Sequence, residues 1–194
     1  MNWNSNSVNA KILDALLEDN LELFNNLIKS DNVDLNFNYI NKSIGLMGYT
    51  LLIFTIRFRR LEMLKKLLEF GPEKVDRNKV DLYGNSPLLL SIMMGNDGCD
   101  IDYQILKVLL QDPFVNTKYV KNSNGTDAMK CALWVEDIAI IHILLDHNIQ
   151  VNWDSLDSWR REWYNKIVKD YYSPYPPYGH GYLKELSKYS KLEL

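Results

Sequence analysis

The chain has 194 residues, of which 46 % are hydrophobic and 24 % charged, the balance of one globular domain with a substantial core. Its formal net charge of -3 argues against nucleic-acid binding, which needs a basic face. With only 2 cysteines, Cys99 and Cys131, and no CxxC pair, it offers neither a disulfide framework nor a zinc motif.

A reducing location, cytoplasmic or nuclear, is therefore expected. The polar opening from Met1 to Asn6 has no signal-peptide core. The apolar run from Ala139 to Leu145 is too short to span a bilayer, so no membrane attachment is expected.

Laid against itself, the chain repeats. The first unit ends in the aliphatic pair Leu27-Ile28. The next opens at Gly48-Tyr49-Thr50-Leu51-Leu52 and ends in Leu67-Leu68. The third opens at Gly84-Asn85-Ser86-Pro87-Leu88 and ends in Leu109-Leu110. The fourth opens at Gly125-Thr126-Asp127-Ala128-Met129 and ends in Leu144-Leu145. Each unit reads as two short helices. Small residues mark the first helix (Ala15, Thr55, Ser91, Ala132), and four positions later the chain turns at Asp19, Arg59, Gly95 and Glu136. Phe24, Leu64, Leu106 and Ile141 precede the aliphatic pairs by three residues, and about six extra residues, Asp97 to Asp102, form an acidic insertion loop in the third unit. No single unit has enough apolar surface to fold alone, so neighbouring units must bury one another.

This pattern resembles the ankyrin repeat, with its glycine-led opening, small residue, aliphatic pair and closing Val-Asn. Val151-Asn152 and Leu35-Asn36 are similar to that close. The likeness covers about residues 8–152, in units of about 8–40, 48–80, 84–120 and 125–152. It implies an all-α ankyrin-repeat solenoid of about four helix-turn-helix units. The chain departs from the family where Leu51 and Ala128 replace its proline, and where Ile53, Leu89 and Lys130 replace its histidine.

Residues 153–194 are expected to form a C-terminal capping helix and a Tyr/Pro-rich tail. Leu156, Trp159, Trp163 and Ile167 share one face of a helix from about Asp154 to Asp170. Two readings stand for that face: a cap on the last repeat, or a hot spot for a partner. The tail carries Pro174, Pro176 and Pro177 among five tyrosines between Tyr171 and Tyr182, which disfavours helix and favours extended backbone. A short helix from about Tyr182 to Tyr189 follows.

For binding, the resemblance implies protein recognition through a concave face of loop tips and inner helices. The expected partner-binding residues are Tyr49, Tyr83, Asn85 and Asn124 at exposed tips. A second candidate is the basic cluster Arg57, Arg59, Arg60, Lys65 and Lys66, read either as a solvated face or as a dock for an acidic partner or phosphate. No catalytic residues, no metal site and no cofactor are expected: His142, His147 and His180 are poorly spaced for shared ligation, and no P-loop, GxSxG or HExxH occurs. The expected role is a monomeric, non-enzymatic adaptor, inhibitor or assembly factor for a protein partner. The alternatives are a pathogen or viral effector of the same fold, and an enzyme with a site added to the solenoid.

Overall fold

The computed structural model describes residues 7–31, 33–41, 46–95, 98–118 and 120–172. The tail from 173 onward, His180, Lys42 and Asp97 lie outside the described residues, as does the expected helix near Tyr182. The described chain is mostly helical. Four helix pairs follow one another: α1 (Val8–Leu17) with α2 (Leu21–Ile28), α3 (Leu51–Arg57) with α4 (Leu61–Leu68), α5 (Pro87–Met94) with α6 (Asp100–Gln111), and α7 (Ala128–Val135) with α8 (Ile138–Asp146). A 3-10 turn at Trp153–Ser155 leads to α9 (Ser158–Tyr171). Between the first two pairs sits a short antiparallel hairpin, β1 (Tyr39–Asn41) on β2 (Leu46–Tyr49), with a bulge at Tyr39/Ile40.

The local causes repeat from pair to pair. Each first helix starts at a capping side chain: Ser7, Thr50, Ser86 and Asp127 accept the backbone N–H of Ala10, Ile53, Leu89 and Lys130. Such a cap contributes about 1 kcal/mol. The turn between the helices then needs a left-handed residue. Asp19, Arg59 and Glu136 take φ of 57°, 56° and 60°, without the glycine that suits such a position. In the third pair Gly95 keeps a helical φ of -68°, and the left-handed position moves to Gly98 at 62°. Gly95 serves packing instead, because a Cβ there would meet Ile140 Cδ1 at 2.4 Å.

First helices pack on first helices, α1 on α3, α3 on α5 and α5 on α7, while α2 packs on α4 and α4 on α6. The small residues make the first row possible: Ala15, Thr55 and Ala132 are 0 % exposed and Ser91 1 %. The two buried hydroxyls donate to the carbonyls of Leu52 and Leu88, so burial leaves no unpaired polar group. Phe24, Leu64, Leu106 and Ile141 fill the core between rows, all at 1 % exposure or less.

Two sequence expectations are corrected here. Asp100 and Asp102 do not lie in a loop but open α6, where Asp102 is buried. The helix of the C-terminal segment also begins later, and of its expected face Leu156, Trp163 and Ile167 pack inward while Trp159 does not. The helix is capped by Asp157, and Tyr164 and Ile167 are buried while Trp159 is 48 % exposed. Leu156 is buried ahead of the helix, and Trp153 stands edge-on to Tyr164 at 5.6 Å. Tyr171 holds the far end by donating to the Asp146 carboxylate and lying against His142.

The second and third pairs are tied by an ion pair invisible to repeat spacing. Arg77 is 2 % exposed. Its guanidinium donates to the carbonyls of Leu68, Phe70, Gly71 and Val75 and to Asp112 at 3.3 Å, and it stands over the Phe114 ring. A cation thus closes the C-terminus of α4, where the helix carbonyls concentrate negative charge. Removing it strands a largely covered carboxylate and several carbonyls. Arg77→Leu is therefore expected to cost about 3–5 kcal/mol in urea unfolding, whereas a surface ion pair such as Lys65–Glu62 should cost under about 1 kcal/mol when broken.

Candidate protein-binding face

The loops entering the first helices share one geometry. Asp81 Oδ1 accepts the N–H groups of Tyr83 and Asn85, and Asn122 Oδ1 accepts those of Asn124 and Thr126. The loops then join each other. Leu82 N–H donates to Met47 C=O at 2.8 Å, and Ser123 N–H to Tyr83 C=O at 3.0 Å. Behind the tips a relay runs from Asn122 Nδ2 to Asn85 Oδ1 and from Asn85 Nδ2 to Asp81 Oδ2. These bonds tie each loop to the next.

That wiring decides which tip residues reach solvent. Tyr83 is 54 % exposed, as is its neighbour Leu82, and Asn124 is exposed. Tyr49 and Asn85, expected at exposed tips, are instead 7 % and 6 % exposed. Tyr49 is covered because its ring packs edge-on against Phe54 at 5.6 Å, beneath Arg57. Asn85 is covered because it is the middle of the polar relay.

The basic cluster is largely engaged within the molecule. Arg59 makes a two-toothed contact with Asp102, at 2.9 and 3.0 Å. Arg60 donates to the carbonyls of Leu16 and Leu17 at the end of α1 and pairs with Asp19 at 3.1 Å. Lys65 and Lys66 pair with Glu62 and Glu69. Arg57 is different: it is exposed, lies 5.0 Å over the Tyr49 ring, and has no carboxylate partner among the described residues.

A second asparagine ladder was not legible as such in the sequence. Asn36 donates to Lys74 C=O and accepts from Asp76 N–H, while Asn78 donates to Phe114 C=O and accepts from Asn116 N–H. The Leu35-Asn36 close of the first unit was the one available signal.

No group of three or more His, Cys, Asp or Glu is placed to hold a metal ion among the described residues. The Cys131 thiol is buried, and burial pushes its pKa up to about 12, which keeps it protonated and unreactive. His147 Nδ1 is held by the Ile143 carbonyl. The cavity between the first two units, about 250 Å³, is lined mainly by polar and charged groups including Asp31, Asp34, Glu73 and Lys74. No described helix is long and apolar enough to cross a membrane.

No protein-family model matches the chain, and no curated protein matches it either. What remains is geometry: exposed tips at Leu82, Tyr83 and Asn124, and an exposed inner-helix surface.

Two outcomes follow. A Cβ on Gly84, at φ 75°, would meet Ser123 N at 2.8 Å, whereas one on Gly125, at φ 71°, meets nothing within 4 Å. Gly125→Ala should cost about 1 kcal/mol of left-handed strain, and Gly84→Ala about 2 kcal/mol or more because the loop pairing is also displaced. Chemical denaturation of the two variants checks the difference. The second concerns His142, whose pKa is lowered by burial, with Asp146 opposing in part. The unfolded chain takes up that proton at higher pH than the folded one. Stability is thus full above the unfolded value of about 6.5 and falls as pH drops from there toward the folded value. Thermal melts between about pH 7.5 and 5 should show this fall, and His142→Gln should flatten part of it.

Proposed function

We propose that the chain is an ankyrin-repeat protein that acts without catalysis, as an adaptor, inhibitor or assembly factor. It binds a protein partner through its loop tips and inner-helix face in the cytoplasm or nucleus. The observation that carries this reading is the equivalence of the units. Gly84 and Gly125 stand in the same turn, each three residues past the side chain that closes it, with backbone pairing from one loop to the next. Small buried residues in the inner row follow at one spacing. A stack of this kind offers a long surface whose exposed residues are set unit by unit, while the hydrogen bonds behind them fix their positions.

The exposed aromatic and aliphatic tips suit the role. Isolated Leu and Tyr side chains on a surface need no explanation, but adjacent ones at 54 % exposure on a hydrogen-bonded loop make a rigid anchor.

The test is affinity capture of the full chain from cells, with mass spectrometry, against a Leu82→Ala/Tyr83→Ala variant shown by circular dichroism to be folded. The expected result is a protein retained by the wild type and depleted about tenfold or more by the variant, the loss of roughly 1.4 kcal/mol or more of binding. Equal recovery by both moves the site off the tips. No specific partner from any source cell, together with turnover in a substrate screen, overturns the reading.

A further inference from the structure

The loop that enters the fourth unit is bonded to the loop before it at two points. Asn116 N–H donates to Asn78 Oδ1 at 2.7 Å, and Ser123 N–H donates to Tyr83 C=O at 3.0 Å. Lys118 and Lys121 lie on the chain between those two points. Each is two residues from a bonded position, at most about 7 Å of chain. On the other loop the same span holds Val80, Leu82 and Tyr83. These three are 43 %, 54 % and 54 % exposed, and both lysines are exposed as well. Leu82 is seated against the preceding loop, since a Cβ on Gly48 would meet its Cγ at 3.0 Å. The two bonds and this seat fix an apolar patch and a cationic border together.

The carboxylates around that patch are already used. Asp81 is buried and accepts the N–H groups of Tyr83 and Asn85. Asp112 pairs with Arg77, and Asp127 caps α7. Asp76 lies ahead of the span and accepts Asn78 N–H at 2.8 Å. Lys79 is engaged too, with its ammonium on Asn36 C=O at 2.6 Å. Lys65 and Lys66 each sit on a glutamate, whereas Lys118 and Lys121 have no carboxylate partner among the described residues. On a chain of net charge -3 this border is a local reversal of sign. Such a border favours an anionic partner and opposes a cationic one. A lysine ammonium is a compact, strongly hydrated charge without the fork of arginine, so it attracts negative charge without fixing its geometry. A polyanion that lacked apolar groups would leave Val80, Leu82 and Tyr83 in water.

We propose that this patch receives an acidic segment of a partner protein, one that carries large apolar side chains among its carboxylates. The proposal rests on the protein-binding reading above and names the chemistry recognised at the tips. Two components divide the work. Apolar contact with Leu82 and Tyr83 holds the bound segment and sets its dissociation rate. Lys118 and Lys121 gather the acidic segment and set its association rate, so salt slows association and leaves dissociation nearly unchanged.

The probe is a fluorescein-labelled octapeptide, Asp-Glu-Asp-Leu-Phe-Glu-Asp-Glu, titrated with the full chain by fluorescence anisotropy at low ionic strength. One comparison peptide has Lys at all its acidic positions. The other has Ser-Ser in place of Leu-Phe. Saturable binding of the first is expected, with each comparison peptide weaker by about tenfold or more. In stopped-flow mixing, raising NaCl from about 20 to about 200 mM should slow association about fivefold or more and change dissociation less than about twofold. Lys118→Glu/Lys121→Glu should reverse the preference between the acidic and the lysine peptide, a readout that a general loss of fold cannot produce. Leu82→Ala/Tyr83→Ala should speed dissociation about tenfold and keep the acidic preference. No saturable binding, equal binding of the acidic peptide and either comparison, or an unchanged preference in the charge-reversed variant overturns the proposal. So does self-association of the full chain in sedimentation that Leu82→Ala/Tyr83→Ala abolishes, since a second copy then occupies the tips. If a captured partner is lost with the tip variant yet retained by Lys118→Glu/Lys121→Glu, the binding function stands and its ligand is not an acidic segment.

Discussion

Short helices set the constraint on which this molecule depends. The helices of the four pairs run from 7 residues in α3 to 12 in α6. Helices of that length are marginal in water on their own. Each therefore survives only by laying its apolar face on a neighbour, and that neighbour is in the next pair as often as in its own. The small residues Ala15, Thr55, Ser91 and Ala132 set how close the first row can come. Larger side chains there would separate every pair beyond them.

Charge does structural work along the same seams. Arg60 ends α1, Arg77 ends α4, and Arg59 reaches across to Asp102. In each case a guanidinium satisfies carbonyls or a carboxylate that stacking would otherwise leave dry and unpaired. The cluster at 57–60 is dense in arginine for this reason. It is mostly part of the joint between units, and Arg57 alone turns outward.

The helical pairs were legible because their causes are local. The caps at Thr50, Ser86 and Asp127, the small residues and the aliphatic pairs all recur at intervals that survive degeneration of the rest. What was not legible depends on a partner distant in sequence. Arg77 and Asp112 are 35 residues apart, and nothing near either announces the pair. Tyr49 looked like a tip residue because it follows Gly48, and it is buried because its ring packs on Phe54 beneath Arg57. The face of α9 was legible in part for a related reason. Ile167 and Trp163 of the expected stripe do pack on the stack, but Tyr164 shares that side and Trp159 turns outward. Bulk alone does not say which residues a terminal helix turns inward.

The ties between units are unequal in kind, and that has a mechanical consequence. The second and third pairs share both the buried Arg77–Asp112 contact and the two-toothed Arg59–Asp102 contact, on top of their apolar packing. The first junction has Arg60 on an exposed Asp19 and on the carbonyls of Leu16 and Leu17, and the last has hydrogen bonds from Tyr103 to Asp137 and from Asn122 to Asn85. A chain pulled from its two ends should therefore shed its outer pairs in separate steps before the middle gives way. The central block would behave as the last spring to yield, and a partner that grips it would hold on while the ends come loose.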